Sequence, residues 1–250
     1  MNKRIEKLVL CILLFSVVSS FIGCGDYGKG QTENAEVVNL EKREKDISSQ
    51  LSYKSSMELL YADQFAVDYY NDEYLLLTVV DGGRYLVVPE GKERPDKLMD
   101  DIVVLERPLE NIYLVATAAM DMFRELGTMD FIRFSGQKAD GWSMKEVRDE
   151  MNNGNILYAG KYSMPDYELI LSEGCSLAIE NNMIFHSPEV VEKLESLGIP
   201  VFVDFSSYEE HPLGRVEWIK LYGALLDKEE VAQGAFDSQV KIMELLIKGE

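Results

Sequence analysis

The 250-residue sequence has little positive charge, two histidines and three cysteines. His186 and His211 stand 25 positions apart, so the sequence predicts no multi-histidine metal site, and we expect no metal and no cofactor. Lys and Arg number 25 against 44 Asp and Glu, which gives a formal net charge of -19. So acidic a chain repels phosphate backbones and anionic head groups. We therefore expect no nucleic-acid partner and no membrane binding through a basic patch.

The signature motifs of several enzyme classes are also missing. The chain has no G-x-S-x-G elbow, no P-loop, no C-x-x-C pair and no H-E-x-x-H motif. Residues 23–28 match G-x-G-x-x-G letter for letter, but no strand is predicted before them and no helix after them, so they do not predict a dinucleotide site. We expect no catalytic residue and no enzymatic activity; an exported hydrolase is the weakest of three functional hypotheses.

No hydrophobic run in the sequence reaches the ~20 residues that a membrane-spanning helix needs. The run over residues 8–22 follows the basic residues Lys3, Arg4 and Lys7 and precedes Gly23, which is the order found in a secretory signal peptide. We predict a signal peptide over residues 1–23. Its removal takes away three basic residues and one acidic residue, which leaves 22 basic and 43 acidic residues and a net charge of -21.

The end of this leader resembles a bacterial lipobox, in which a cysteine is acylated and becomes the mature N-terminus. The resemblance rests on Phe21-Ile22-Gly23-Cys24 and implies that Cys24 is lipidated and holds the protein on the extracytoplasmic face of the cell membrane. With Cys11 in the leader and Cys24 lipidated, only Cys175 remains, so no internal disulfide is possible. Its apolar neighbours predict a small buried thiol.

Polar residues follow the lipidation site, and β patterns follow them. Residues 24–52 are too polar to build a core and predict a flexible tether, with a frayed helix near residues 40–49. Apolar runs at 57–61, 65–70, 74–80 and 84–89 come next. Turn residues Asn71-Asp72 and Asp81-Gly82-Gly83 separate the last three, which predicts a small N-terminal antiparallel β meander.

Beyond about residue 102, short apolar runs alternate with helical patterns. Strands are predicted at 112–116, 131–134, 156–159, 177–179 and 201–204, and helices at 117–126, 143–151, 166–171 and 188–197. Thr117 is a candidate N-cap, and Ser143 with Glu146 forms a candidate capping box. The alternation predicts an α/β fold with a mainly parallel sheet covered by helices. Residues 213–226 and 229–247 predict two long amphipathic helices.

Two sequence blocks carry a family resemblance. Residues 206–226 read SSYEEHPLGRVEWIKLYGALL, and residues 187–201 read SPEVVEKLESLGIPV. Together with residues 158–168 and 178–184, they resemble the substrate-binding lipoproteins of ABC importers in the iron-siderophore, haem and cobalamin class. The resemblance implies a bilobed fold in which two α/β lobes are joined by one long rigid helix. Residues 53–226 would then be one lobe and residues 227–250 the linking helix, and the second lobe is absent from this sequence.

The resemblance also implies a ligand site in the cleft, where the loops after the parallel strands share one edge. The candidate ligand-binding residues are Thr117, Ser135, Tyr158, Tyr162, Asn181, Asn182, Ser207 and Tyr208. Each has a structural alternative: Thr117 can be a helix cap, Ser207 can hold a turn, and the tyrosines can pack on the lobe surface.

Acidic surface residues of this family dock on the permease. The resemblance therefore implies docking roles for Glu189, Glu192, Glu209 and Glu210, although Glu189 also suits a helix N-terminus and the last two can be caps. Arg215 can pair with Glu209 or with an anionic ligand, and we expect the intramolecular pair.

The sequence thus predicts a lipid-anchored solute-binding protein that captures an iron complex, haem or corrinoid and delivers it to ABC permease subunits. The alternative is a surface-tethered interaction lipoprotein with the same fold and no transport role.

Overall fold

A computed structural model describes residues 40–249 of the chain. The predicted signal peptide and Cys24 lie outside the described residues. The β-strands are Tyr53–Ser56 (β1), Phe65–Tyr70 (β2), Leu75–Val79 (β3), Gly83–Val88 (β4), Ile102–Glu106 (β5), Ile112–Leu114 (β6), Ile132–Ser135 (β7), Leu157–Tyr158 (β8), Gly160–Lys161 (β9), Met164–Pro165 (β10), Ala178–Asn181 (β11) and Val201–Asp204 (β12). The α-helices are Ala119–Glu125 (α1), Lys145–Asn152 (α2), Tyr167–Ser172 (α3), Pro188–Ser196 (α4), Pro212–Leu226 (α5) and Glu229–Lys248 (α6).

The first sheet is the predicted N-terminal meander with an extra strand. Strands β1 to β4 pair antiparallel in chain order, and β5 then pairs parallel to β4. Asp81 and Gly83 both have positive φ at the β3–β4 turn, as a tight hairpin requires. The strand predicted at residues 57–61 is wrong: β1 ends at Ser56, and most of this segment is a loop.

The second sheet is wholly parallel, with strand order β12-β11-β6-β7-β8. Helices lie in the connections between its strands, so the predicted α/β fold with a mainly parallel, helix-covered sheet is confirmed. The five strands end at Asp204, Asn181, Leu114, Ser135 and Tyr158. We call this side of the sheet the carboxyl edge. The two sheets share one hydrophobic core, and the Val203 amide of β12 donates to the Tyr85 hydroxyl of β4 at 3.2 Å.

Helix α5 lies within the hydrophobic core that the two sheets share. It was predicted to be amphipathic, but it is buried on nearly all sides because it packs against β2, α1 and α6. The Trp218 ring lies 5.1 Å from that of Phe65, and the Tyr222 ring lies 5.5 Å from that of Phe123. Helix α6 buries Ala232 and Phe236, whereas Leu246 near its end is 68% exposed. No helix among residues 40–249 is long and apolar enough to cross a membrane.

Part of the predicted tether is packed. Ile47 and Leu51 are buried in a small core on the meander with Tyr70, and Arg43 forms an ion pair of 2.5 Å with the buried Asp68. The tether prediction is therefore wrong for residues 40–52, and no helix forms there. The physical reason is that Ile47 and Leu51 pack against the apolar outer face of the first sheet. Two isolated apolar residues form no periodic pattern in the sequence, so the sequence does not predict this packing.

Two predicted helix caps are also wrong. Helix α2 begins at Lys145 after Met144, so Ser143 and Glu146 do not form a capping box. Helix α1 begins at Ala119, and no side chain caps it. In contrast, the Asp166 carboxylate accepts a hydrogen bond of 3.0 Å from the Leu169 amide at the start of α3.

Candidate functional site at the carboxyl edge

An exposed aromatic patch covers the carboxyl edge beyond β11 and β12. Phe185 is 52% exposed and Tyr208 is 53% exposed, and the buried Phe205 ring lies between them. Ring centroids are 6.0 Å apart for Phe185 and Phe205 and 5.3 Å apart for Phe205 and Tyr208. We call Phe185 and Tyr208, with Phe205 beneath them, the aromatic patch. Such exposed faces are free to stack against a flat or apolar ligand.

A hydrogen bond joins the two loops that carry this patch. The side-chain amide of Asn182 donates a hydrogen bond of 2.5 Å to the Tyr208 hydroxyl, so the loop after β11 is linked to the loop after β12. The Asn181 side chain accepts from the Met183 amide at 2.9 Å and caps the 3₁₀ helix Asn182–His186. Ser207 and Thr117 are exposed at the same edge, and neither caps a helix. Five of the eight predicted ligand-binding residues therefore share the middle and one end of the edge.

Buried Asp204 orients the loop that carries Ser207 and Tyr208. Its carboxylate accepts from the Ser206 amide at 3.0 Å, from the Ser206 hydroxyl at 2.6 Å and from the Tyr222 hydroxyl at 2.6 Å. Burial raises the pKa of Asp204, and these hydrogen bonds oppose that shift. The sequence pattern predicts that a strand ends at Asp204 and a loop follows, but it predicts no role for the Asp204 side chain. The sequence feature that could have indicated this role is an acidic residue at the end of an otherwise apolar strand, because a buried carboxylate needs hydrogen-bond partners.

Ser135 is not a free ligand-binding group. It is fully buried, and its hydroxyl accepts from the Gln137 amide and the Trp142 indole, both at 3.1 Å, and donates to the Gln137 carbonyl at 2.8 Å. Those bonds satisfy the hydroxyl and hold the loop after β7. The structure thus contradicts the ligand-binding prediction for Ser135. The hydroxyl of this buried serine forms hydrogen bonds with the Gln137 backbone in the turn after β7, so it is not available to a ligand.

Tyr158 and Tyr162 lie toward the opposite end of the edge. Tyr158 is 41% exposed, and the Lys138 ammonium lies 5.5 Å from its ring centroid. Tyr162 is half-buried against the core. Four strand intervals separate β8 from β12 in the sheet order, which is about 19 Å at the usual spacing between strands. Only a ligand of that size reaches both ends.

A groove opens beside the aromatic patch, and we call it the edge groove. Its volume is about 380 Å³. Helix α1, the loop at Ser206 and Ser207, and helices α5 and α6 form its walls. Its lining residues are Ala118, Asp121, Met122, Glu125, Ser206, Ser207, Arg215, Val216, Ile219, Ala235 and Gln239.

Two buried glutamates of the 206–226 block form a clamp on the loop before β2. The Glu217 carboxylate accepts from the amides of residues 60, 61 and 62 at 2.8–3.0 Å and from the Lys220 ammonium at 2.9 Å. The Glu209 carboxylate accepts from the Asp63 amide at 2.9 Å, the Gln64 amide at 3.1 Å and the Trp218 indole at 2.8 Å. Much of this sequence block therefore stabilises the fold.

The clamp corrects two predictions. Glu209 is buried and its carboxylate is occupied, so it is not a docking group on the surface. Arg215 does not pair with that carboxylate; its Nε donates instead to the Glu209 main-chain carbonyl at 3.0 Å. The other predicted docking residues, Glu189, Glu192 and Glu210, are exposed.

Strand β11 also carries a buried acid, Glu180. It is fully buried, and neither carboxylate oxygen has a hydrogen-bond partner among the described residues. Burial raises its pKa to about 8. Because Ala178 pairs with Tyr113 and side chains alternate along a strand, Glu180 faces the same side of the sheet as Tyr113. Burial raises the pKa of Tyr113, and the charge of Glu180 adds to that effect.

Residues 40–249 contain no group of three or more His, Cys, Asp or Glu side chains able to hold a metal ion. Cys175 is half-buried, and its thiol donates to the Leu177 carbonyl at 3.4 Å. Burial raises its pKa to about 11, which leaves little reactive thiolate at neutral pH.

Comparison with known proteins finds no matching family model. Two uncharacterized lipoproteins of Methanocaldococcus jannaschii are similar in sequence: MJ0878 is 26% identical over 95% of this chain and 60% of its own length, and MJ0872 is 24% identical over 97% and 62%. The chain thus spans about three fifths of the length of these curated relatives.

Two solved structures also resemble the chain. The periplasmic haem-binding protein HutB of Vibrio cholerae matches 56% of this chain and 50% of its own, with 18% identity and a TM-score of 0.44. The petrobactin-binding protein YclQ of Bacillus subtilis matches 56% of this chain and 45% of its own, with 13% identity and a TM-score of 0.42.

Proposed function

We propose that the chain is a lipid-anchored solute-binding protein that captures an iron complex, haem or corrinoid and delivers it to an ABC permease. The observation that carries this proposal is the aromatic patch with its Asn182–Tyr208 hydrogen bond, presented on the rigid carboxyl edge of a parallel sheet. Ligands of α/β sheets bind at this edge, and flat or aromatic chelates suit exposed rings. The resemblance of residues 187–201 and 206–226 to importer lipoproteins supports the same ligand classes.

Capture and handover use different surfaces in this proposal. Asn181, Asn182, Ser207, Tyr208 and Thr117 form the central ligand site, and Tyr158 and Tyr162 extend it for a larger ligand. The exposed Glu189, Glu192 and Glu210 meet a basic rim of the permease. No residue has a catalytic role. The lobe is residues 53–226 together with the packed residues 40–52, and α6 is the proposed linking helix.

Lipid anchoring is the second part of the proposal. The M. jannaschii relatives are named lipoproteins, and their alignments cover 95% and 97% of this chain. This supports acylation of Cys24 and a location on the extracytoplasmic face of the membrane, with residues 1–23 removed as a signal peptide.

Replacing Cys24 by serine should release the protein from the membrane, because serine cannot form the thioether to which the lipid is attached. Wild-type protein should partition into the detergent phase after cell fractionation, and Cys24→Ser should partition into the aqueous phase. Cys175→Ser is the matched control and should stay with the detergent. Detergent partitioning of Cys24→Ser equal to that of wild type would contradict the lipidation proposal.

Replacing Tyr208 by alanine should weaken chelate binding about tenfold, or ~1.4 kcal/mol, because a stacking face and the hydrogen bond to Asn182 are both lost. The full chain in detergent is titrated with haem, cobalamin, a ferric catecholate and a ferric hydroxamate, and quenching of tryptophan fluorescence is measured. Trp142 donates to Ser135 at the end of β7 and is the reporter at this edge. Tyr208→Phe keeps the ring and should lose less.

Leu60→Ala, which changes an exposed residue outside the ligand edge, is the control for that titration.

Glu189→Gln combined with Glu192→Gln should leave the dissociation constant of the chelate unchanged. The double variant should lower cellular import of the labelled chelate, because these two residues are proposed to dock on the permease. If the wild-type chain binds none of the four probes, the solute-binding proposal is wrong and the surface-tethered interaction protein becomes the better hypothesis.

A further inference from the structure

The edge groove combines an apolar floor with a charged rim. Met122, Val216 and Ala235 are half-buried, and Ile219 is nearly fully buried, so four side chains from α1, α5 and α6 give it a continuous hydrocarbon surface. A volume of about 380 Å³ is within the usual range for small-molecule sites. A groove of this kind gains free energy from an apolar occupant that displaces water.

Side chains of both charge signs line the rim. The carboxylates of Asp121 and Glu125 both pair with Arg124, at 2.7 Å and 2.6 Å, so one guanidinium offsets about half of their combined charge. Arg215 uses only its Nε, which donates to the main-chain carbonyl of Glu209. No carboxylate among residues 40–249 lies within ion-pair distance of Arg215. The Nη groups of its guanidinium can therefore donate hydrogen bonds to a bound anion.

We propose that the edge groove binds an amphipathic monocarboxylate. The carboxylate pairs with the Nη groups of Arg215, because a guanidinium fork matches the two oxygens of a carboxylate. The hydrocarbon part lies on Met122, Val216 and Ile219, and the exposed Ser207 and Gln239 supply further polar groups at the rim. This site does not depend on the transport proposal, with which it shares only Ser207.

The test uses the full chain in lipid nanodiscs, with empty nanodiscs as the blank. 4-Phenylbutyrate is the probe and 4-phenylbutanol is its neutral counterpart, and saturation-transfer NMR gives both dissociation constants. The acid should bind at least tenfold more tightly than the alcohol. Arg215→Gln should remove that difference, Arg215→Lys should keep part of it, and Ala235→Trp should block both compounds by filling the groove.

Arg94→Gln is the matched control, since it makes the same chemical change at an exposed arginine on the meander side and should leave binding unchanged. Equal affinity of wild type for the acid and the alcohol, an unchanged preference in Arg215→Gln, or no saturable binding would overturn the proposal. The comparison of the acid with the alcohol uses only wild-type protein. It therefore tests the proposal even if Arg215→Gln folds poorly.

Competition identifies the source of the carboxylate. If Tyr208→Ala weakens chelate binding and leaves phenylbutyrate binding intact, the groove serves a separate free acid. If the chelate displaces phenylbutyrate from wild type, the acid arm of the chelate occupies the groove. Either result supports the chemistry proposed for Arg215, and failure of chelate binding alone would count only against the transport function.

Discussion

Glu180→Met is expected to stabilise the protein increasingly as the pH rises from about 5 to 9. The Glu180 carboxyl is fully buried without a partner, and burial raises its pKa from 4.5 to about 8. Between these two values the folded state holds a proton that the unfolded state has released, so stability falls as pH rises and stays lower above pH 8. At 1.36 kcal/mol per unit, the penalty reaches about 5 kcal/mol. Methionine fills a similar volume and carries no charge.

The measurement is urea unfolding of wild type and variant at five pH values between 5 and 9. Other buried acids with raised pKa values, including Asp204 and Glu209, contribute equally to both proteins, so the difference between the two curves isolates Glu180. Glu180→Gln should remove the same pH dependence but stabilise less, because its amide is buried without partners. Glu189→Gln, an exposed glutamate, should change nothing. A wild-type curve parallel to that of Glu180→Gln would contradict the expectation.

Glu217→Ala is expected to lower the free energy of unfolding by about 3–5 kcal/mol, which is the usual cost of removing one partner from a buried ion pair. The substitution leaves the Lys220 ammonium buried without its anion. It also leaves the amides of Leu60, Tyr61 and Ala62 without an acceptor. The loop before β2 should therefore open, and hydrogen exchange of those three amides should rise together with the loss of stability.

The pH dependence of this effect has the opposite sign to that of Glu180. Burial alone would raise the pKa of Glu217, but the hydrogen bonds from Lys220 and the loop amides outweigh it and lower the pKa below 4.5. The stability that the carboxylate contributes is present above pH 4.5 and is lost as pH falls through the folded pKa, so wild type and Glu217→Ala should converge in acid. Exposed Glu210→Ala should lose under 0.5 kcal/mol. A similar small loss for Glu217→Ala would show that the clamp is dispensable.

The sequence by itself determined the fold class and most element positions. The alternation of apolar runs with helical patterns after residue 102 predicted the parallel sheet, and Asp81 with Gly83 predicted the β3–β4 hairpin. These features are encoded within short windows, because turn chemistry and periodicity depend on neighbours along the chain. The carboxyl edge followed from the same pattern, which is why Asn182 and Tyr208 were expected at one site and do meet there.

Only the tertiary structure decided which polar side chains are available. The sequence predicts a surface docking role for Glu209 and no role for Glu217, yet both bind the backbone of a loop that lies up to 157 positions earlier. The Ser135 hydroxyl forms hydrogen bonds within the turn after β7, and Ile47 and Leu51 pack on the first sheet. Arg215 lines a groove that four separate segments form. Burial and pairing depend on which distant segments pack together, and a local window does not record that contact, so these roles appear only once the chain is folded.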